Sequence, residues 1–212
     1  MNIVFDFGAV LFTWQPGLLI QAHFPEHAAT QAQRSALAHA VFGHPDWHDF
    51  DRGVLSAAEV TARTAKRLGL NESALRDLVD GIGEHLQPMA GSVEVLAQLH
   101  ALREQLGSAL RLYYLSNMPV SYARVLERKH AFIGWFDGGI FSGDVHHIKP
   151  EPEIYAMLEQ RYLLEPTQTV FIDDLASNVA QAQRRGWQGI QFEAAAQLKS
   201  QLEMVLNLSL EA

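Results

Sequence analysis

The chain opens with the stretch MNIVFDFGAVLFTW, residues 1–14, in which an apolar run ends abruptly on an acidic residue. Short apolar runs rich in β-branched and aromatic residues, such as residues 3–5, are typical of strands that are covered on both faces of a sheet. Ligands of open parallel sheets bind beyond the carboxyl ends of such strands, which is where Asp6 lies. Gly8 permits a sharp turn, after which the apolar residues 9–12 can fold back over the site. The stretch predicts a buried strand that ends on a functional carboxylate, although a solvated turn aspartate gives the same pattern.

The composition is that of an ordinary globular protein. With 212 residues and 48% apolar content, the chain can bury one sizeable core and carry a smaller insert. A net charge of -8 argues against a nucleic-acid partner, because phosphate binding needs clustered Lys and Arg. The lack of cysteine excludes a disulfide framework, a thiolate metal site and a cysteine nucleophile. No apolar run approaches the roughly 18 residues of a membrane span, so we expect a cytoplasmic protein without membrane contact.

Residues 16–87 show the sequence signals of helices and contain no convincing strand. Ser56 opens a capping-box pattern, and Gly69 suits the left-handed position at which the same helix would end. Two glycines, Gly81 and Gly83, are expected to fray the end of a later helix. The segment is therefore predicted to be a helical insert.

Beyond the insert, strand-like apolar runs alternate with helical patterns. Ser92 is the expected cap of the first of these helices. Each of four apolar runs is followed directly by polar residues. Residues 110–115 precede Ser116-Asn117, residues 139–141 precede Ser142, residues 170–172 precede Asp173-Asp174, and residues 189–192 precede Glu193. This alternation predicts an α/β protein with a parallel sheet and right-handed crossovers.

Four separate chain segments end on side chains that suit one reaction. They carry Asp6, Ser116-Asn117, Asp173-Asp174, and Lys149 just before a helix. Each has an ordinary explanation as a turn, a helix cap or a surface lysine, but together they are hard to explain by chance. The three aspartates would make a hard oxygen site for Mg²⁺, Lys149 would balance the charges of the nucleophile and the phosphate, and the Ser116 hydroxyl would hold phosphate oxygens. The set predicts phosphoryl transfer through an aspartyl intermediate.

In combination these motifs resemble those of the haloacid-dehalogenase-like hydrolases over essentially the whole chain. That superfamily combines a strand ending in Asp, a strand ending in Ser or Thr, a Lys, and an acidic pair. The matching segments here begin, in the same order, at Asp6, Ser116, Lys149 and Asp173.

The insert, including residues 50–53, is similar to the small helical cap of one branch of this superfamily. That branch contains bacterial sugar-phosphate phosphatases and the phosphatase domain of soluble epoxide hydrolase. The resemblance implies a Rossmann-like parallel sheet with its first strand central. It also implies a core domain of residues 1–15 and 88–212 and a cap domain of residues 16–87.

The resemblance further implies a role for each site residue. The catalytic residues would be Asp6, as the nucleophile, and Lys149. The phosphate-binding residues would be Ser116, Asn117 and Lys149. The Mg²⁺ ligands would be Asp6, the backbone carbonyl of Gly8, Asp174, and Asp173 directly or through water.

Two positions depart from the family pattern. Gly8 replaces the Asp that usually protonates the leaving group two residues after the nucleophile, and His146 replaces a Gly often found three residues before the motif lysine. We therefore expect slow turnover of esters with poor leaving groups unless another acid acts. His146 and His147 are interpreted as exposed loop residues, with a catalytic role as the alternative.

The sequence predicts an enzyme that hydrolyses a small phosphorylated metabolite with Mg²⁺, a phosphate monoester such as a sugar phosphate. One alternative is a 2-haloacid dehalogenase, which uses the same Asp6 nucleophile without a metal. Gly8 suits that enzyme, but the Asp173-Asp174 pair does not, because dehalogenases usually have a Ser-Asn pair there. The other alternative is a non-catalytic protein that binds a phosphorylated metabolite. We expect a monomer or a homodimer.

Overall fold

The computed structural model describes residues 1–210, which are built around one five-stranded parallel sheet. Its strands are β1 (Asn2–Phe5), β2 (Arg111–Ser116), β3 (Gly138–Phe141), β4 (Thr169–Asp173) and β5 (Gln188–Gln191). Their order in the sheet is β3-β2-β1-β4-β5, which confirms the α/β fold with a central first strand. Phe5 is in register with Tyr114 of β2 and Ile172 of β4. The residues just after these positions therefore meet at one edge of the sheet.

Ten α-helices accompany the sheet in the described part of the chain. Five lie within residues 16–87: α1 (Pro16–His23), α2 (Gln31–Phe42), α3 (Pro45–Asp51), α4 (Ala57–Leu68) and α5 (Glu72–His85). Five follow: α6 (Ala90–Leu106), α7 (Val120–Lys129), α8 (Pro152–Tyr162), α9 (Ala176–Arg184) and α10 (Ala195–Leu206). None of the helices between residues 1 and 210 combines the length and the apolar character that a membrane crossing requires.

Both faces of the sheet are covered. Ile3 and Phe5 of β1 belong to one apolar cluster, which includes Leu99 of α6. Val4 points to the other face and joins a second cluster with Tyr155 of α8. This alternation explains why the short opening run is wholly apolar, since every one of its side chains is buried on one face or the other.

The predicted helical insert contains five helices and no strand. The Ser56 side chain accepts from the Glu59 N–H and forms the expected capping box, and Gly69 adopts the left-handed conformation that ends α4. Helix α1 packs against α2 and α5, and α4 packs against both α3 and α5. The chain enters and leaves the insert side by side, because the Thr13 N–H donates to the Gln87 carbonyl at 2.8 Å. The division into a core of residues 1–15 and 88–212 and a cap of residues 16–87 stays a prediction, and these contacts are compatible with it.

Two local predictions are wrong. Helix α6 begins at Ala90, so Ser92 lies inside its first turn, buried and without a capping bond. The start is set instead by the linker, in which the Met89 N–H donates to the Leu11 carbonyl. Helix α5 runs past both of its glycines, and an added Cβ at Gly83 would lie 3.2 Å from the Tyr122 Cα. That glycine allows α5 and α7 to approach closely, and tertiary packing outweighs its low helix propensity.

Candidate active site

Asp6 follows β1 at the carboxyl edge of the sheet and lines a cavity of about 570 Å³. Its side chain is almost fully buried, and its Oδ1 accepts a hydrogen bond from the Phe7 N–H at 2.6 Å. Burial raises the pKa of Asp6 to about 7, and Lys149 opposes that rise. Nearby Asp173 adds to the rise, while the Ser116 hydroxyl opposes it. Asp6 therefore depends on neighbouring positive charge to be fully ionised at neutral pH.

The turn after Asp6 holds the strand end in place. The Phe7 carbonyl accepts hydrogen bonds from the N–H groups of Leu11 and Phe12 at 2.9 and 2.8 Å. The apolar segment after the turn thus folds back and is buried, as expected from the sequence. Gly8 lines the cavity, and a Cβ built there would find Trp14 Cβ at 4.0 Å as its nearest neighbour. The site therefore has room for a side chain at the position where this chain has none.

Lys149 forms ion pairs with both Asp6 and Asp173. Its buried Nζ lies 2.8 Å from Asp6 Oδ1 and 2.6 Å from Asp173 Oδ2. Burial alone would lower the pKa of Lys149, but the carboxylates of Asp173 and Asp6 raise it above the ordinary value. Asn117 holds the lysine backbone, accepting from the Lys149 N–H at 2.7 Å and donating to its carbonyl at 3.0 Å. Lys149 is therefore a fixed ammonium group beside Asp6, and Ser116 lines the same cavity.

The two aspartates that follow β4 have different surroundings. Asp173 is fully buried and accepts hydrogen bonds from Lys149, from the Asn178 side-chain amide and from the Leu175 N–H. Asp174 is only partly buried and lines the cavity. Burial raises the pKa of Asp174, and the charge of Asp173 adds to the rise. Asp174 therefore has the more available carboxylate, whereas Asp173 is already held by the protein.

The carboxylates form one cluster that could hold a cation. Asp6, Asp173 and Asp174 each offer an oxygen, and the three oxygens lie within 4.8 Å of one another. Within residues 1–210 one ammonium group, that of Lys149, pairs with this cluster, through Asp6 and Asp173. An all-oxygen donor set with excess negative charge fits Mg²⁺, which prefers carboxylate and carbonyl oxygens.

The cavity has two chemically different sides. The polar residues described above lie at the sheet edge, next to some apolar loop residues, whereas the wall formed by the insert together with Trp14 and Tyr122 is mostly apolar and aromatic. The apolar wall consists of Trp14, Phe42, Trp47, Ile82, Leu86 and Tyr122. Three polar side chains from α3 and its end interrupt that wall: His48, Asp51 and Arg52.

Asp51, the last residue of α3, has an unusual environment. Its carboxyl has no hydrogen bond or ion pair with any residue between 1 and 210, while the neighbouring Arg52 is engaged by Asp49 and Glu151. Burial raises the pKa of Asp51 to about 8, and Arg52 opposes that rise. The Asp51 carbonyl accepts from the Ser142 hydroxyl at 2.6 Å, which fixes the end of α3 to the loop after β3. Asp51 is partly buried and lines the cavity, and its raised pKa favours the protonated carboxyl at neutral pH.

His146 and His147 do not line the cavity. The Nδ1 of His146 lies 2.8 Å from the Arg52 carbonyl, and His147 pairs with Glu151 at 3.4 Å. His146 has a φ of 61°, a left-handed conformation that glycine adopts at little cost. This explains the glycine of the family pattern, and it supports the interpretation of both histidines as loop residues.

Two residues of the site were not assigned from the sequence. Asn178 follows Asp173 by five residues, and the first turn of α9 brings its side-chain amide back to the Asp173 carboxylate. This spacing in the sequence could have indicated the contact. Asp51 belongs to residues 50–53, whose similarity to the family's cap gave it no role in the site. Its position depends on how α3 docks against the loop after β3, which only the tertiary structure shows.

The family model for haloacid dehalogenase-like hydrolases matches residues 3–185. The chain belongs to this family. Asp6, Lys149 and the acidic pair Asp173-Asp174 lie together at one sheet edge, while the roles of the single residues stay predictions.

Two relatives and one solved structure illustrate the similarity. A sesquiterpene phosphatase of Aspergillus oryzae is 26% identical over 88% of this chain and 87% of its own length. A D-ribitol-5-phosphate phosphatase of Bacteroides thetaiotaomicron is 27% identical over 97% of this chain and 98% of its own. The fold is similar to that of a family enzyme from Bacteroides thetaiotaomicron crystallised with magnesium and inorganic phosphate. That match has a TM-score of 0.69 and 20% identity and covers 91% of this chain and 94% of the other.

Proposed function

We propose that this hydrolase releases phosphate from a small phosphorylated metabolite, a phosphate monoester, through an aspartyl phosphate formed on Asp6. One observation carries the proposal: the Asp6 carboxylate lines the cavity within 2.8 Å of the buried ammonium of Lys149. A carboxylate nucleophile beside a fixed cation is the arrangement that attack on an anionic phosphate requires. The phosphatase names of both relatives support it.

Each side chain of the site has its own proposed role. Asp6 attacks phosphorus, and Lys149 offsets the charge of the incoming phosphate as well as that of Asp6. Asn117 keeps Lys149 in place through two backbone hydrogen bonds. The Ser116 hydroxyl, which lines the cavity, is proposed to donate to a phosphate oxygen. In the second half of the reaction, water cleaves the aspartyl phosphate and returns Asp6 to its starting state.

We propose Mg²⁺ as the cofactor, held by Asp6, the Gly8 carbonyl and Asp174. When bound, the ion neutralises negative charge that would otherwise keep an anionic phosphate away from an anionic nucleophile. Asp173 contributes mainly through Lys149 and Asn178, because its hydrogen-bonding capacity is already used within the protein.

Asp174→Asn should raise the Mg²⁺ concentration needed for half-maximal activity at least about tenfold, since even the loss of a partner outside the ligand set costs about 10–100-fold in metal affinity. Asp173→Asn should shift that concentration less and lower turnover instead, because it disturbs Lys149. A Mg²⁺ titration of phosphate release compares the two variants. Equal Mg²⁺ shifts in both variants would contradict the assignment of Asp174 as the more direct ligand.

The cavity wall formed by the insert together with Trp14 and Tyr122 bears on the substrate. It presents six apolar or aromatic side chains and only three polar ones. Such a wall favours an ester whose leaving alcohol has a large apolar part, because a polyol would lose hydrogen bonds to water there without replacing them. The sugar phosphate expected from the sequence stays a prediction, and the two classes compete in the experiment below.

The test is a panel of phosphate monoesters with aryl, alkyl, prenyl and sugar leaving groups, assayed for released phosphate with Mg²⁺ and with EDTA. We expect phosphate release that requires Mg²⁺, with apolar esters preferred over sugar phosphates. Chelator-resistant phosphate release would contradict the cofactor assignment. Halide release from a 2-haloacid under the same conditions would favour the dehalogenase alternative. Tight binding of phosphate esters without turnover would favour the non-catalytic one.

We further propose that residues 16–87 act as a cap domain over the core of residues 1–15 and 88–212. The adjacent entry and exit strands of the insert, joined between Thr13 and Gln87, support this. A cap that closes over the cavity would exclude bulk water from the aspartyl phosphate. The cytoplasmic location and the monomeric or homodimeric state stay predictions.

A further inference from the structure

The reaction needs a proton that the residues after Asp6 do not supply. If Asp6 attacks phosphorus as proposed above, the leaving oxygen departs on the side of phosphorus that faces away from Asp6. An alkoxide is a poor leaving group, so that oxygen must gain a proton as its bond to phosphorus breaks. Gly8 has no side chain to provide it.

We propose that the carboxylic acid of Asp51 is the general acid that protonates the leaving oxygen. This inference rests on the proposed phosphatase function. Asp51 lines the same cavity as Asp6 but belongs to the insert, at the end of α3. The Ser142 hydroxyl holds its backbone carbonyl to the core, so the carboxyl is positioned by a fixed helix end.

The state of the Asp51 carboxyl suits this role. It has no hydrogen-bond or salt-bridge partner within residues 1–210, so its proton is free for a ligand. Burial raises its pKa to about 8, which keeps the acid protonated at neutral pH. Asp51 is only partly buried, so its carboxyl stays accessible to a ligand in the cavity.

The other polar groups near the wall formed by the insert are less suitable proton donors. Arg52 is paired with Asp49 and Glu151 and does not release a proton at neutral pH. Glu151 is held as an anion, because Arg52 and the Ile148 N–H lower its pKa against the effect of burial. Tyr122 already donates its hydroxyl proton to the Val79 carbonyl at 2.6 Å.

His48 is the remaining candidate on α3. Burial lowers its pKa below the ordinary value, and the charge of Arg52 adds to that effect. The imidazole is therefore mainly neutral at pH 7 and is a weak acid in that state. Asp51 is thus the one residue on this wall that the structure both leaves unpaired and keeps protonated.

The proton that Asp51 gives up in the first half-reaction is returned to it in the second. As the bond between phosphorus and the leaving oxygen breaks, the Asp51 proton passes to that oxygen and the alcohol leaves neutral, while Asp6 carries the phosphoryl group. The Asp51 carboxylate then accepts a proton from the water molecule that attacks the aspartyl phosphate. Phosphate is released, and Asp51 is again a carboxylic acid.

The test is the variant Asp51→Asn, assayed on 4-nitrophenyl phosphate and on hexyl phosphate. A nitrophenolate leaves without protonation, whereas a hexyl alkoxide does not, and general acid catalysis is worth about 10²–10⁴-fold. We expect kcat/KM for hexyl phosphate to fall by about 10²–10⁴-fold and that for the aryl ester to change less than about tenfold. The double variant Gly8→Asp/Asp51→Asn should recover much of the hexyl phosphate turnover, since Gly8 has room for the new side chain.

Asp49→Asn is the matched control, because Asp49 lies on the same helix but does not line the cavity. It should leave the ratio of hexyl to aryl turnover unchanged. A ratio equally unchanged in Asp51→Asn would overturn the role of Asp51. A wild-type enzyme that releases phosphate from neither ester would overturn the proposed function itself.

A second measurement needs no variant at Asp51. A series of esters with leaving groups of graded acidity, assayed on the wild-type enzyme, should show kcat/KM values that depend only weakly on that acidity. A steep dependence in the wild type would mean that no acid protonates the leaving oxygen, and it would exclude Asp51 from that role.

Discussion

Asp6→Asn should lower the rate of phosphate release by at least about 10⁴-fold, the scale on which loss of a covalent nucleophile acts. An amide cannot form the phosphoryl ester that the proposed mechanism requires. The fold should persist, because Asn has nearly the same size and Lys149 keeps its contact with Asp173 at 2.6 Å. The measurement is phosphate release under saturating Mg²⁺, with the mass of the protein checked for an intact amide.

Asp144→Asn is the matched control for this substitution. Asp144 lies shortly after β3, as Asp6 follows β1, but it pairs with Arg124 and does not line the cavity. Its replacement should leave turnover unchanged. Phosphate release by Asp6→Asn at a rate near that of the wild type would exclude the covalent mechanism.

Lys149→Met should reduce both activity and stability. The variant leaves the buried carboxylates of Asp6 and Asp173 without their cation, and breaking a buried ion pair in this way costs about 3–5 kcal/mol. Activity should fall by about 10²–10³-fold or more, since the charge that offsets the nucleophile and the phosphate is lost. Urea unfolding in EDTA measures the free energy of unfolding without compensation by a metal ion.

The loss of stability should depend on pH. Burial already raises the pKa of Asp6 to about 7, and Lys149→Met removes the cation that opposes this rise. The folded state then binds the Asp6 proton more tightly than the unfolded chain does, so stability is lost as pH rises through the folded-state pKa. The deficit relative to wild type should therefore be largest above pH 7 and smaller near pH 5.

Lys129→Met provides the comparison with an exposed lysine. Lys129 lies on the surface, 3.0 Å from Glu84, and such pairs contribute at most about 1 kcal/mol. If Lys149→Met cost no more than Lys129→Met at pH 8, the buried lysine would not be the compensating charge of the site. An equal cost at pH 5 and pH 8 would contradict the titration of Asp6.

The local sequence alone predicted the features that depend on neighbours in the chain. The run at residues 3–5 is wholly apolar because β1 is covered on both faces, and this made it readable as a buried strand, while its central place in the sheet was implied by the family resemblance. Ser56 caps α4 as predicted because a capping box joins residues only three apart. The parallel arrangement then brings Asp6, Ser116 and Asp173 to one edge of the sheet, so their convergence followed from the strand ends.

What depends on contacts distant in sequence was decided by the tertiary structure. Ser92 does not cap α6 because the Met89 N–H bonds to the Leu11 carbonyl, 78 positions earlier in the chain, and starts the helix sooner. Lys149 and Asn178 bind the Asp173 carboxylate, so Asp174 is the member of the acidic pair whose carboxylate stays available for a ligand. The exposure of Asp51 to the cavity depends on the docking of α3 against Ser142. A local pattern specifies hydrogen bonds within a turn, but it carries no information on which distant surface will bury or pair a side chain.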